Sequence, residues 1–184
     1  MQNGWLCRSA NLSSNDPICV ANAGAVLLWP YLRRFFDQVG LLEEGKFLSA
    51  CARVRGAMLV QYLGTGSTEA EELQLTLPKI LCGVLIETVV ALHINLKEQE
   101  RSVSEDLLNA VCRNWPPMNN SSIASLREAF LERGGKLTKT EPNIYKLDVS
   151  PGPYDMLLDQ LPWQIGTVQL NHMPAPITVH WSGL

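Results

Sequence analysis

Apolar residues in the first part of the chain recur at intervals of three and four positions, the periodicity of an amphipathic helix. Over residues 26–39 this pattern is broken by Pro30, which predicts a kinked or interrupted helix that ends at Gly40. A second helix is predicted over residues 47–63, with a glycine-rich turn at residues 64–66 after it. Its predicted buried face consists of Phe47, Cys51, Val54, Met58, Leu59 and Tyr62.

The middle of the chain gives weaker signals. Residues 68–71 have the spacing of a capping box, and residues 73–83 after them fit either a short helix or an extended segment. Residues 84–96 are apolar nearly throughout, so periodicity does not separate a buried helix from a buried strand there. A second capping box at residues 102–105 predicts a helix that is stopped by the proline pair at residues 116–117.

The last third of the chain changes to a two-residue alternation, which is typical of strands with one buried face. Strands are predicted at residues 137–140, 145–149, 168–170 and 177–181. The first two form a hairpin across Pro142 and Asn143, and short helices are predicted at residues 123–134 and 154–161. The pattern therefore predicts an α+β fold, with an N-terminal layer of about five helices followed by a small antiparallel sheet near the C-terminus.

The chain of 184 residues has the size of one domain, and its 46% of hydrophobic residues exclude intrinsic disorder. Residues 1–16 are polar and turn-rich and are predicted to be a flexible leader, while residues 17–184 are predicted to form a single globular α+β domain. The leader has no signal-peptide pattern, and the longest apolar stretch, residues 23–32, is too short to span a bilayer. We expect a cytosolic protein without membrane insertion.

The charged residues and the sulfur and imidazole groups identify no chemical site. The net charge is -3 and the basic residues are scattered, whereas nucleic-acid binders concentrate them on one face. The five cysteines include no C-x-x-C pair, and His93, His172 and His180 are not spaced to share a metal. Phosphate-loop and nucleophile-elbow motifs do not occur. We therefore expect no catalytic residues, cofactor, metal or nucleic-acid partner, and no enzymatic activity.

Large aromatic residues beside prolines are more informative. Trp29 and Tyr31 flank one proline, Trp163 follows another, and Trp181 lies in the last predicted strand. Such side chains either pack loops onto the core or anchor protein–protein contacts. Trp29, Tyr31, Trp163 and Trp181 are therefore candidate core or interaction residues.

Six segments resemble, in order, sequence blocks of tape measure proteins from contractile injection systems. They are residues 22–32 (NAGAVLLWPYL), 55–66 (RGAMLVQYLGTG), 75–83 (LTLPKILCG), 120–137 (NSSIASLREAFLERGGKL), 154–163 (YDMLLDQLPW) and 173–181 (MPAPITVHW). The resemblance implies a structural and assembly protein of a phage-tail-like particle that helps to set inner-tube length. It also implies spike, baseplate, inner-tube or cap proteins as partners, and leaves a homo-oligomer open.

The same resemblance implies a protein that is cytoplasmic during assembly and then lies within the assembled particle. A helical ruler gains about 1.5 Å per residue, whereas a compact domain of this size is only about 40 Å across. The chain is therefore expected to be a globular C-terminal anchoring domain of such a protein, and the ruler itself must lie elsewhere.

Two alternatives stay open at the level of sequence. A small cytosolic enzyme with a dispersed active site would show a deep pocket that gathers polar groups with shifted pKa values. A chaperone or effector adaptor would instead share with the anchoring domain an exposed apolar or aromatic patch.

Overall fold

A computed structural model describes residues 16–140 and 144–181, so the predicted leader, apart from Asp16, and the predicted hairpin turn lie outside the described residues. The α-helices are α1 (Trp29–Gln38), α2 (Ala50–Thr65), α3 (Glu72–Leu81), α4 (Glu98–Asn114) and α5 (Ile123–Leu126). Short 3₁₀ helices cover Ala23–Leu28, Pro116–Met118 and Asp155–Gln160, and a π-helical turn covers Arg127–Leu131. The strands are β1 (Ile18–Val20), β2 (Leu42–Glu43), β3 (Lys46–Phe47), β4 (Gly135–Thr140), β5 (Ile144–Val149), β6 (Thr167–Val168) and β7 (Ile177–Trp181). The predicted α+β class is confirmed.

Within the described residues the larger sheet has the strand order β1-β4-β5-β7-β6. β4 and β5 form the predicted antiparallel hairpin, in which Leu137 lies opposite Leu147. β7 pairs in parallel with β5, with Val179 beside Leu147, so one strand pair departs from the predicted antiparallel arrangement. β1 also joins the sheet, with Ile18 opposite Leu137, although three residues are too few to show a strand pattern in sequence.

The predicted interruption near Pro30 is confirmed. A fully buried 3₁₀ helix, Ala23–Leu28, runs directly into α1, and Pro30 lies in the first turn of α1. A missing N–H costs no helical hydrogen bond at that position, because the first turn has no acceptor for it. The chain leaves α1 through Gly40, whose φ of 72° is in the left-handed region that favours glycine.

α2 is a central helix of the fold. It begins after Ser49, whose side chain accepts a hydrogen bond as the N-cap, and ends at Gly66 with a left-handed φ of 73°. Phe47, predicted to open the helix, lies instead in the β2–β3 hairpin. The prediction of a single buried face is wrong at Cys51, which is exposed, whereas every residue from 56 to 64 is buried. Neighbouring elements therefore surround the second half of α2.

α3 shows that residues 73–83 are mainly helical, although Pro78 lies inside the helix. In a regular helix the N–H of residue 78 would donate to the carbonyl of Gln74, and proline has no N–H. The buried amide of Asn22 takes this place, because its Nδ2 donates to the Gln74 carbonyl at 2.8 Å. A side chain from a distant part of the chain thus satisfies the carbonyl that Pro78 leaves free.

Both capping-box predictions are wrong in position. Residues 68–71 precede α3 in an irregular segment, and the backbone N–H of Glu71 bonds the side chain of the glutamine three residues later at 2.9 Å. Residues 102–105 lie inside α4, which starts earlier, where the N–H of Lys97 donates to the carboxylate of Glu100 at 2.9 Å. Both helix starts satisfy the cap N–H with the third helical side chain, without the serine or threonine of the usual motif.

Candidate interaction surface

Two buried thiols and one partly buried imidazole are used for packing. Among the described residues, no group of three or more His, Cys, Asp or Glu side chains is placed to hold a metal ion. Burial raises the pKa of the Cys82 and Cys112 thiols, which disfavours the reactive thiolate. His172 packs edge-on against the ring of Phe47, and burial lowers its pKa. None of these groups is therefore activated as a nucleophile or a metal ligand.

A groove of about 350 Å³ lies beside α1. Its lining residues are Pro30, Arg33, Arg34, Asp37, Leu42 and Gly45. The ionisable side chains among them, Arg33, Arg34 and Asp37, are exposed to solvent. The groove therefore differs from the deep pocket, with desolvated acid and base, that a dispersed active site requires.

Three of the four aromatic candidates lie together. The rings of Tyr31 and Trp163 meet edge to face with centroids 5.3 Å apart. Trp163 Nε1 donates to a carbonyl of the first 3₁₀ helix at 3.1 Å, and Trp29 Nε1 donates to the carbonyl of the residue after Trp163 at 2.9 Å. All three are half-buried and join α1 to the segment before β6, whereas Trp181 in β7 is buried in the core. A role for any of them in binding stays a prediction.

The sequence blocks that carry the family resemblance contact one another inside the fold. A Cβ added to Gly24 would lie 1.7 Å from the carbonyl oxygen of Phe130, so the first and fourth blocks meet backbone to backbone and need glycine there. Arg127 Nε donates to the Leu63 carbonyl at 3.0 Å, which satisfies an otherwise free acceptor at the end of α2. Residues of the blocks that carry the family resemblance therefore make contacts that stabilise the fold.

Two ion pairs extend this internal network. Arg133 and Asp155, both nearly buried, meet at 2.8 Å between Nη2 and Oδ1. Arg55 donates to both oxygens of the Glu100 carboxylate at 2.6 Å. Burial alone would raise the pKa of Glu100, but the bonds from Arg55 and from the N–H of Lys97, with their positive charges, outweigh it and lower that pKa. These charges serve the fold and are not free for chemistry.

Lys79 is a charged side chain inside the core, with 1% of its surface exposed. Its Nζ donates to the carboxylate of Glu72 at 2.8 Å and to the backbone carbonyl of Ile86 at 3.0 Å. A buried ammonium is costly unless it is paired and hydrogen-bonded, so both contacts stabilise the burial. The bond to Ile86 also ties the following segment to α3.

That segment, residues 84–96, is named here the apolar loop. It forms neither the buried helix nor the buried strand that its composition allows, and apart from an isolated bridge at His93 its backbone is irregular. Backbone hydrogen bonds hold it at both ends: Val84 N–H donates to the Lys79 carbonyl at 2.8 Å, and Ile94 N–H donates to the Thr68 carbonyl at 2.9 Å. The apolar loop is therefore an ordered part of the fold.

Its aliphatic side chains include a buried set and an exposed set. Val84, Val90 and Ile94 point inward and are buried. Leu85 and Val89 point outward and are 71% and 94% exposed, and Leu92 is 47% exposed. Because the backbone is fixed, these aliphatic groups are displayed to solvent by the fold, as expected of a contact surface. They were missed in the sequence because an apolar run without periodicity indicates burial.

No described helix combines the length and the apolarity needed to cross a membrane. Comparison with protein-family models matches residues 8–181 to the family of contractile injection system tape measure proteins. Comparison with curated proteins and with solved structures finds no significant match. The family match covers nearly the whole chain and includes all six resembling segments. The chain therefore belongs to the contractile injection system tape measure protein family.

Proposed function

We propose that this chain is the globular anchoring domain of its tape measure protein and contacts a spike, baseplate, inner-tube or cap component during particle assembly. It acts in the cytoplasm while the particle is built and then lies within the assembled particle. By holding one end of an extended ruler, it helps to set the length of the inner tube. A folded domain about 40 Å across cannot span a tube, so its contribution is attachment.

The observation that carries the proposal is the apolar loop. Each square ångström of apolar surface left in water forgoes about 25 cal/mol of burial free energy, and a partner that covers Leu85 and Val89 recovers it. The charged groups of Lys79, Arg133 and Glu100 form ion pairs within the fold. The surface thus suits binding better than catalysis.

Deletion of the domain from the intact injection system tests the proposal. We expect fewer complete particles, or tubes of irregular length, in electron micrographs of the deletion strain. The purified domain should also bind one of the spike, baseplate, tube or cap proteins when each is tested separately. Particles of unchanged yield and length, together with no binding to any of these proteins, would contradict the proposal.

A matched variant separates loss of contact from loss of fold. Val89→Ser alters the most exposed aliphatic residue of the apolar loop, and Met156→Ser makes a similar change at a side chain that is 63% exposed elsewhere. Both variants should fold, because neither side chain is part of the core. Only Val89→Ser should reproduce part of the deletion phenotype.

A further inference from the structure

Carboxylates surround the apolar loop. Residues 66–96 contain four of them, Glu69, Glu71, Glu72 and Glu87, and all four are exposed. The same segment contains a single lysine or arginine, Lys79, whose buried ammonium pairs with the carboxylate of Glu72. The surface formed by this segment therefore combines aliphatic side chains with negative charge.

Three of these carboxylates lie in the loop or contact it. Glu69 pairs with His93 across an isolated bridge, and their side chains meet at 2.7 Å. Glu72 reaches the loop through Lys79, which binds the Glu72 carboxylate and a loop carbonyl together. Glu87 lies in the loop itself, between its two most exposed aliphatic residues. Glu69, Glu72 and Glu87 therefore lie in the apolar loop or contact it.

The arginines at the two ends of the loop are directed into the fold. Arg53 Nη1 lies 3.2–3.5 Å from the carbonyls of Cys82, Gly83 and His172, to which it donates. Arg55 forms its double hydrogen bond with Glu100. Neither guanidinium is therefore positioned to neutralise the carboxylates around the exposed aliphatic residues.

Resting on the proposed function, we infer that the apolar loop docks a segment of another injection-system protein whose aliphatic side chains are flanked by lysine or arginine. The aliphatic groups of that segment would cover Leu85, Val89 and Leu92 and supply most of the affinity. Its cations would face Glu87, which speeds association and fixes the orientation. A segment flanked by acidic residues would be repelled, and an anionic membrane would be repelled for the same reason.

The probes are two synthetic peptides of about 18 residues with the same leucine spacing. One has lysine at every polar position, and the other has glutamate there. Binding to the full chain is measured by fluorescence anisotropy at low and at physiological salt. The lysine peptide should bind at least roughly tenfold more tightly than the glutamate peptide, and salt should weaken its binding. The double variant L85S/V89S and the charge reversal Glu87→Lys should each weaken binding by roughly tenfold.

Matched controls are available outside the apolar loop. Met156→Ser and Asp106→Lys make the same kinds of change at exposed positions outside the loop, and both should leave peptide binding unchanged. Urea unfolding midpoints of all variants should stay close to that of the wild type, because every altered side chain is exposed. Equal binding of the two peptides, or binding that Glu87→Lys leaves unchanged, overturns the inference.

Two other occupants would also overturn it. One is a second copy of the chain, detected as a dimer in sedimentation that L85S/V89S dissociates. The other is a neutral phosphatidylcholine vesicle that binds the wild type but not this variant. The proposed function is judged separately: if wild type and L85S/V89S capture the same spike, baseplate, tube or cap protein equally, the anchoring role stands and this docking site fails.

Discussion

Replacing Asn22 by alanine removes the amide that compensates for the proline in α3. Asn22 Nδ2 donates to the Gln74 carbonyl at 2.8 Å, where the absent N–H of Pro78 leaves an acceptor free. Leaving a buried acceptor without a donor costs about 1–3 kcal/mol. Here the carbonyl is only partly buried, and the substitution also removes the Asn22 Oδ1, which has no hydrogen-bond partner among the described residues. We therefore expect Asn22→Ala to destabilise the fold by about 1–2 kcal/mol.

The same substitution should cost less when Pro78 is also replaced by alanine. An alanine at position 78 restores the helical N–H, so the Gln74 carbonyl keeps a donor after the Asn22 amide is lost. The two substitutions should therefore couple by about 1 kcal/mol in a double-mutant cycle. The single variant Pro78→Ala gives the effect of the proline alone on the free energy of unfolding, including its restriction of the unfolded chain.

The free energy of unfolding of the four proteins is measured by urea denaturation, followed by tryptophan fluorescence and by far-UV circular dichroism. Coincident transitions and equal urea dependences make the four values comparable. If the effects of Asn22→Ala and Pro78→Ala add within about 0.3 kcal/mol, the amide does not compensate for the proline and the reasoning is refuted.

Three further outcomes concern the internal contacts. Gly24→Ala should destabilise by about 3 kcal/mol, because its Cβ meets a backbone carbonyl, whereas Gly64→Ala, with its nearest atom at 3.7 Å, should be neutral or stabilising by up to about 1 kcal/mol. Equal urea midpoints for these two variants would contradict the close contact between Gly24 and the Phe130 carbonyl. Asp155→Ala should cost about 3–5 kcal/mol, since Arg133 is left buried without its counterion, and adding Arg133→Met should recover part of it. The pKa of Glu100 is lowered in the fold, so its stabilisation is complete above the ordinary carboxyl pKa of about 4.3 and is lost as pH falls through the folded-state value. Glu100→Gln should therefore flatten the acid limb of the stability profile, and a profile parallel to that of the wild type counts against this role.

Helix boundaries were predictable where a residue restricts its own backbone. Pro30 marks the start of α1, and Gly66 ends α2, because the proline ring and the left-handed φ act locally whatever surrounds them. The caps at Glu71 and Lys97 were not predictable from the usual motif, since neither helix uses a serine or threonine there. The parallel pairing of β7 was also missed, because alternation shows which face of a strand is buried and not which strand lies beside it.

The candidate surface was less predictable than the fold. The exposure of Leu85 and Val89 depends on how the apolar loop is tied to α3, and the tie is a lysine, a residue type that is almost never buried. The contact between Asn22 and Gln74 likewise joins positions 52 residues apart, beyond the reach of any local pattern. In both places a buried polar group determines the local backbone geometry, and the periodicity of apolar residues does not predict such a contact.

The position of β7 has a consequence for how the protein is made. Of the described strands β7 comes last along the chain, yet it lies between β5 and β6 in the sheet. A chain leaving the ribosome exposes the β4–β5 hairpin first, and β5 keeps an open edge until Ile177 has emerged. Such an edge is a template for pairing with other chains. A translation product that stops before β7 therefore leaves β5 with an unpaired edge, and we expect it to aggregate or to be degraded more readily than a product that includes β7.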